Sequence, residues 1–175
     1  MLSFFKRANA ETAVSLRFDQ VRAHLNDFCG PVSRTVWDDR FVIGYLTGAF
    51  HVSLKVANPP TTNPEYNALQ SGRLWQRFTG RDPAKFSRDT FVLADNQDPD
   101  YLNGFDRGSL WGAMVTGNVK REHPEVAALL QAAKVHGKSY EAVHGEPSHH
   151  MASAASLALI GDFFQKVAMI NQFAE

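Results

Sequence analysis

Four times along this chain an asparagine or aspartate stands directly before a proline, and three of these dipeptides lead into a helical apolar pattern: Asn63-Pro64, Asp82-Pro83 and Asp98-Pro99. An Asn or Asp side chain can cap a helix N-terminus, and proline fits the first helical position because its missing N–H would be unpaired there. Each of these three dipeptides therefore predicts the start of a helix. Helix starts at this spacing leave little room for alternating strands, and turn dipeptides typical of hairpins are almost absent.

The apolar periodicity between these signals is also helical. Over residues 11–28 the apolar side chains recur every three or four positions, at Val14, Phe18, Val21, Leu25 and Phe28. This spacing places them on one side of a first helix. Cys29-Gly30-Pro31 predicts its end, because glycine permits a left-handed cap and proline cannot continue a helix.

A second helix is predicted over residues 35–57 and should be central, because it is apolar on most sides. Thr35 and Asp38 have the spacing of a capping box at its start. Further helices are predicted over 64–80, from 83, over about 100–115, from 123 to 137 and from 148 to the end of the chain. The expected fold is an all-α bundle of six or seven helices in one domain spanning residues 1–175.

Composition narrows the class of protein. Hydrophobic residues make up 44% and charged residues 21%, which excludes an intrinsically disordered chain. Eighteen basic and eighteen acidic residues give no net charge, which argues against a nucleic-acid partner. The apolar run 41–57 is interrupted by Thr47, His51, Ser53 and Lys55, which favours a buried helix over a membrane span. The single cysteine, Cys29, and the absence of a recognisable signal segment favour the cytoplasm.

Glycines at helical spacing form the first candidate site. Gly104, Gly108 and Gly112 recur every four residues, and Gly44 and Gly48 do the same on the second helix. A glycine inside a helix costs about 1 kcal/mol relative to alanine, so these positions need a compensating reason. Close contact between the two helices is the favoured explanation. A flat wall for a bound cofactor is the functional alternative, and a turn at Asn103-Gly104 is a third.

His51 is the second candidate, as an acid, a base or a ligand. Helical geometry aligns it with Arg40, Gly44, Thr47, Gly48 and Lys55 on one stripe of the second helix. This stripe is either a polar pocket wall or the exposed side of the helix, and exposure is favoured because Arg40 and Lys55 can reach water.

Paired carboxylates at Asp38 and Asp39 are the third candidate, since neighbouring acids can perturb each other's pKa. The helix dipole offers a simpler reason for acids near a helix start. Asp98 is likewise expected to cap a helix, because the acidic segment around it does not have the register of a calcium loop.

Metal binding is not expected. The Glu-x-x-His spacing occurs at Glu141–His144 and at Glu146–His149, but Pro147 interrupts the second pair and the apolar helices carry few glutamates. No cofactor is predicted, and no nucleophile or phosphate-binding motif is present. The basic run Arg73, Arg77, Arg81, Lys85 and Arg88 is more typical of a solvated face than of a nucleic-acid site.

Two functions from different classes remain open at this point. The first is a non-catalytic helical protein that acts by self-association or partner binding. The second is a small enzyme or ligand-binding protein with a pocket between the second, fifth and last helices. The last helix is apolar on most sides, through residues such as Phe163, Phe164 and Phe173. We therefore expect a homodimer in which this helix supplies part of the interface.

Overall fold

The structure is a computed structural model that describes residues 2–57, 64–116, 128 and 147–174. The surroundings of side chains are described from residue 11 onwards and, in the last helix, for residues 156 and 158–174. Its elements, in chain order, are α1 (Leu2–Cys29), a 3-10 helix (Arg34–Asp38), α2 (Arg40–Ala57), α3 (Pro64–Thr79), α4 (Pro83–Asp95), α5 (Pro99–Val115) and α6 (Pro147–Gln172). The all-α prediction is confirmed for this part of the chain. The helix predicted over 123–137 lies outside the described residues.

The Asn/Asp–Pro signals mark real helix starts. The carboxylate of Asp82 accepts a hydrogen bond from the backbone N–H of Ala84 at 2.9 Å, and α4 begins at the following proline. Asp98 accepts from the N–H groups of Asp100 and Tyr101 at 3.2 and 3.1 Å. These bonds satisfy donors that have no partner inside the helix. The assignment of Asp98 as a helix cap is therefore confirmed.

The predicted start of the second helix is wrong by one turn. Ser33, not Thr35, caps a short 3-10 helix, and α2 begins only after Asp39. The Asp39 carboxylate accepts from the N–H of Val42 at 3.1 Å, which makes Asp39 the cap of α2. The 3-10 helix turns the chain so that Val36 and Trp37 enter the core. The first helix also differs, because it starts at Leu2 instead of residue 11.

Helix α2 lies at the centre of the fold, as its apolar pattern predicts. Its buried residues point to several sides of the helix, and each of the other described helices contacts it. Ten of its residues are buried: Val42, Ile43, Gly44, Tyr45, Leu46, Gly48, Ala49, Phe50, Ser53 and Leu54. A helix buried on most sides must be covered by its neighbours, and here they supply that cover within one chain.

Aromatic side chains join the helices around α2 into one core. Phe18 of α1 packs edge-on against Phe50 of α2, with ring centroids 4.7 Å apart, and against Trp111 of α5 at 5.6 Å. Trp75 of α3 stacks on Phe86 of α4 at 4.4 Å. Edge-to-face and offset pairs of this kind add to the stabilisation from apolar burial. No helix in the described ranges has the length and hydropathy required to cross a membrane.

Candidate functional site

The predicted glycine face packs directly against α2. A Cβ placed on Gly108 would overlap the carbonyl oxygen of Tyr45 and lie 2.9 Å from its Cα. A Cβ on Gly104 would overlap the carbonyl oxygen of Phe41. Because backbone atoms occupy these positions, no side chain larger than hydrogen fits, and close helix contact is confirmed as the reason for the glycines.

The glycines of α2 face α5 in the same way. A Cβ on Gly44 would overlap the carbonyl oxygen of Tyr101, and one on Gly48 would lie 2.8 Å from the backbone nitrogen of Ser109. Gly112 is less crowded, since its nearest neighbour would be the carbonyl oxygen of Ala49 at 3.1 Å. Residue numbers rise together along both helices, so α2 and α5 are parallel. All five glycines therefore lie in the α2–α5 contact, and Asn103-Gly104 is helical and not a turn.

Aromatic rings fill the junction of α2, α5 and α6, where a pocket is the alternative expectation. Tyr45 is 1% exposed and stacks on Phe163 of α6 with ring centroids 4.5 Å apart. Its hydroxyl donates to the carbonyl oxygen of Leu159 at 3.3 Å, and Trp111 of α5 lies 6.5 Å from its ring. Burial raises the pKa of the Tyr45 phenol well above its ordinary value, with a smaller effect from Asp162. Tyr45 thus stays neutral and works as a packing residue that ties α6 to α2.

His51 lies on an exposed part of α2. Its ring is 6.4 Å from that of Phe105, and this contact removes water from part of the imidazole. Desolvation, and next the positive charge of Lys55, lower the pKa of His51. The histidine is therefore largely neutral near pH 7. The polar stripe is divided: Gly44 and Gly48 are covered by α5, whereas His51 and Lys55 reach solvent.

Asp38 and Asp39 point to different partners and do not form a carboxylate pair. The Arg81 guanidinium donates to both oxygens of Asp38 at 2.8 and 3.0 Å, and Lys85 donates to the same carboxylate at 2.8 Å. Asp39 instead caps α2. Asp38 therefore links the 3-10 helix to the start of α4.

Ion pairs with carboxylates of the same chain engage most of the cations in the basic run between Arg73 and Arg88. Arg77 pairs with Asp19 of α1, and Lys85 bridges Asp38 and Asp89. The hydrogen bonds that Lys85 donates to Asp38 and then to Asp89 raise its pKa, so it remains charged at neutral pH. These cations are engaged with carboxylates of their own chain and do not line up as a free phosphate-binding face.

No three His, Cys, Asp or Glu side chains converge into a metal-binding group within the described ranges. The Glu141–His144 pair lies outside those ranges. Cys29, the last residue of α1, donates its thiol hydrogen to the carbonyl oxygen of Leu25 at 3.2 Å. Burial raises the pKa of this thiol, while Arg22 lowers it to a lesser degree. A raised thiol pKa makes Cys29 a weak nucleophile.

The exposed stripe of α6 is more polar than the sequence suggests. Leu159, Phe163 and Val167 are buried in the core, whereas Asp162, Gln165 and Gln172 face outward. Asp162 forms an ion pair with Arg107 of α5. Within residues 158–174, the exposed large apolar side chains lie at the end of the helix, where Met169 is 49% and Phe173 is 84% exposed.

A groove of about 500 Å³ lies beside this exposed end. Its lining comes from the last turn of α6 and from the 3-10 helix, and comprises Thr35, Met169, Ile170, Phe173 and Ala174. None of these side chains is charged. We call this feature the end groove. The apolar sequence of α6 could indicate a surface here, but nothing in the local sequence pairs Thr35 with residues about 135 positions away.

Sequence reasoning also missed Arg22. Its guanidinium lies over the ring of Trp37, 4.8 Å from the centroid, and 5.7 Å from that of Phe78. Such contacts between a guanidinium and aromatic faces are favourable. Burial lowers the pKa of Arg22. Because the ordinary pKa of an arginine side chain is far above 7, the guanidinium stays charged. Arg22 helps to position Trp37, and its place on the polar side of the first helix gave no signal of that role.

Comparison of this chain with known protein families, curated protein sequences and solved structures gives no match.

Proposed function

We propose that this protein is a non-catalytic helical protein that acts by associating with a second copy of itself through the end groove. The observation that carries the proposal is Phe173, which is 84% exposed beside a groove that its own side chain helps to line. Exposed Phe and Met side chains are enriched in protein interfaces. A two-fold axis at this point would let each Phe173 enter the groove of the other copy.

Charge supports a second copy as the partner. A two-fold interface brings identical residues together, so a charged surface would repel itself. Among the residues that the structure describes, those that line the end groove are all uncharged, which favours pairing of this surface with itself. Phe28 adds apolar surface where α1 meets α6. Its side chain is 57% exposed, and its ring centroid lies 5.8 Å from that of Phe164.

The proposal includes a reducing, cytoplasmic location and no role in nucleic-acid binding. The single Cys29 supports the first part, because one chain cannot form an internal disulfide. The ion pairs of Arg77, Arg81 and Lys85 support the second, because they leave these cations engaged with carboxylates. We propose no cofactor for this function.

Light scattering coupled to size exclusion tests the proposal at micromolar concentration. We expect the natural chain to be a dimer and Phe173→Ser to be a monomer with unchanged helical content. Phe91→Ser is the matched control, since Phe91 is 70% exposed on α4 and lies outside the groove. A natural chain that stays monomeric at hundreds of micromolar, or a Phe173→Ser variant as dimeric as the natural chain, would overturn the proposal.

A further inference from the structure

A second exposed apolar surface lies on the hairpin formed by α4 and α5. Phe91 and Val92 in the last turns of α4 are 70% and 46% exposed, and Leu102 near the start of α5 is 39% exposed. Phe86 is the only buried residue of α4. Three large apolar side chains therefore face solvent on two helices joined by a short turn.

Carboxylates are frequent in the same part of the chain as these apolar side chains. Between residues 91 and 106 the chain carries Asp95, Asp98, Asp100 and Asp106 and no Lys or Arg. Asp98 pairs with Arg40 at 2.7 Å, whereas no ion pair joins the exposed Asp95, Asp100 or Asp106 to a described residue. We call Phe91, Val92, Leu102 and these three aspartates the acidic hairpin surface.

Asp100 lies in the first turn of α5, where the helix dipole favours a carboxylate, but the charge of Asp95 is not explained by the stability of its helix. Asp95 is the last residue of α4, where the partial negative charge of the helix end disfavours a carboxylate. The nearest cation on α4 is Arg88, one turn before Phe91, and its guanidinium lies 4.0 Å from Asp89. Asp95 thus adds negative charge at a position where a neutral residue would suit the helix better.

The hairpin is held in a fixed geometry. The N–H of Asn96 donates to the carbonyl oxygen of Val92 at 3.0 Å, and the N–H of Asp98 donates to that of Leu93 at 3.0 Å. The contact of Gly44 with the backbone of Tyr101 fixes the start of α5 on α2. A surface that is already ordered loses little entropy when a partner binds.

We propose that the acidic hairpin surface binds a basic amphipathic helix of another protein. Cationic side chains of the partner would meet Asp95, Asp100 and Asp106, and its apolar face would cover Phe91, Val92 and Leu102. A second copy of this chain does not fit here, because a two-fold contact would bring like charges together. The end groove and the acidic hairpin surface therefore take different partners.

Isothermal titration with a synthetic helix of leucine and lysine, segregated onto opposite faces, tests this inference. A peptide of the same composition in scrambled order is the control. We expect the amphipathic peptide to bind and the scrambled peptide to bind at least about tenfold more weakly, a difference of about 1.4 kcal/mol. Equal binding of the two peptides would overturn the inference.

Variants locate the binding surface. The triple variant D95N/D100N/D106N and the single variant Phe91→Ser should each weaken binding by about tenfold. Phe173→Ser should bind like the natural chain, so a failure of self-association does not affect this result. The charge-reversed variant D95K/D106K should prefer a peptide of leucine and glutamate. Unchanged affinity in the triple variant, with its helical content intact, would contradict the proposed site.

Discussion

The side chain of Asn171, near the end of α6, accepts a hydrogen bond from the backbone N–H of Ser33 at 2.7 Å. Its amide nitrogen donates to the carbonyl oxygens of Pro31 at 3.1 Å and Cys29 at 3.4 Å. One side chain thus satisfies three backbone groups in the segment between α1 and the 3-10 helix. These bonds fix the position of the last turn of α6, from which the end groove is built.

Asn171→Ala should lower the free energy of unfolding by about 1–3 kcal/mol, because three backbone groups lose their partner. Asn171→Asp should lower the free energy of unfolding at least as much as Asn171→Ala. A carboxylate has no N–H to donate, so its oxygen would lie against the carbonyl oxygens of Cys29 and Pro31. Gln172→Ala is the control, because Gln172 is exposed and its change should stay within about 0.5 kcal/mol. Urea unfolding measures all three variants. Equal stability of the Asn171 and Gln172 variants would contradict the bridging role.

Gly108→Ala should be among the most damaging single changes in the chain. The new Cβ would overlap the carbonyl oxygen of Tyr45, so α2 and α5 must separate. We expect a loss of about 3 kcal/mol or more, at the upper end of overpacking costs. Thermal unfolding followed by circular dichroism measures it.

Gly161→Ala is the matched control for this experiment. Gly161 is also helical, but a Cβ there would meet nothing within 4 Å. Alanine should therefore raise stability by about 1 kcal/mol through helix propensity alone. Gly112→Ala should fall between the two. Similar effects at Gly108 and Gly161 would show that the α2–α5 contact is looser than described.

Two buried hydroxyls should respond differently to removal. Ser53 is fully buried, and its Oγ has no hydrogen-bond partner among the described residues. Thr79 donates to the carbonyl oxygen of Trp75 at 2.8 Å and accepts from the N–H of Arg81 at 3.1 Å. Ser53→Ala should be neutral or stabilising by up to about 1 kcal/mol, and Thr79→Val should cost about 1–2 kcal/mol. Parallel urea titrations give the comparison, and the reverse order would contradict these assignments.

Asp98 should make stability depend on pH. Hydrogen bonding from the Tyr101 N–H, and also from Arg40, holds the pKa of this carboxyl below its ordinary value of 3.8. A lowered carboxyl pKa contributes stability that is present above about pH 4 and is lost as pH falls through the folded-state pKa. Asp98→Asn keeps a neutral cap, so the variant should be less stable near neutral pH and should lose less stability on acidification. Unfolding curves at several pH values decide this, and parallel pH profiles would refute it.

Local chemistry predicts several parts of this fold because the responsible residues are close in sequence. Asp82 and Asp98 cap the helices that directly follow them, and the spacing of Val14, Phe18, Val21 and Leu25 defines the buried face of α1. The cost of glycine inside helices also predicts the α2–α5 contact. In each case one local interaction or pattern determines the structure, and no tertiary contact overrides it.

Other features depend on tertiary placement and could not be read locally. Phe91, Val92 and Leu93 are consecutive, so they cannot share one helix face, and only the packing of α4 on α2 decides which of them is exposed. Phe28 continues the apolar stripe of α1 but lies beyond the edge of the core. Thr35 and Asp39 both offer a cap for α2, and the burial of Val36 and Trp37 decides in favour of Asp39. The end groove joins Thr35 to residues of the last helix and has no local signature.

The parallel arrangement of α2 and α5 constrains the order in which the chain can fold. Two parallel helices cannot be joined by a tight turn, and here α3 and α4 carry the chain back before α5 begins. During synthesis, α2 must therefore wait for its main partner until about residue 112 has emerged from the ribosome. Until then the apolar faces of α2 are exposed except where α1, α3 and α4 cover them. Bringing α5 back to α2 closes a long segment of chain, and this closure slows folding. For that period the nascent chain exposes apolar helix surface of the kind that chaperones protect from aggregation.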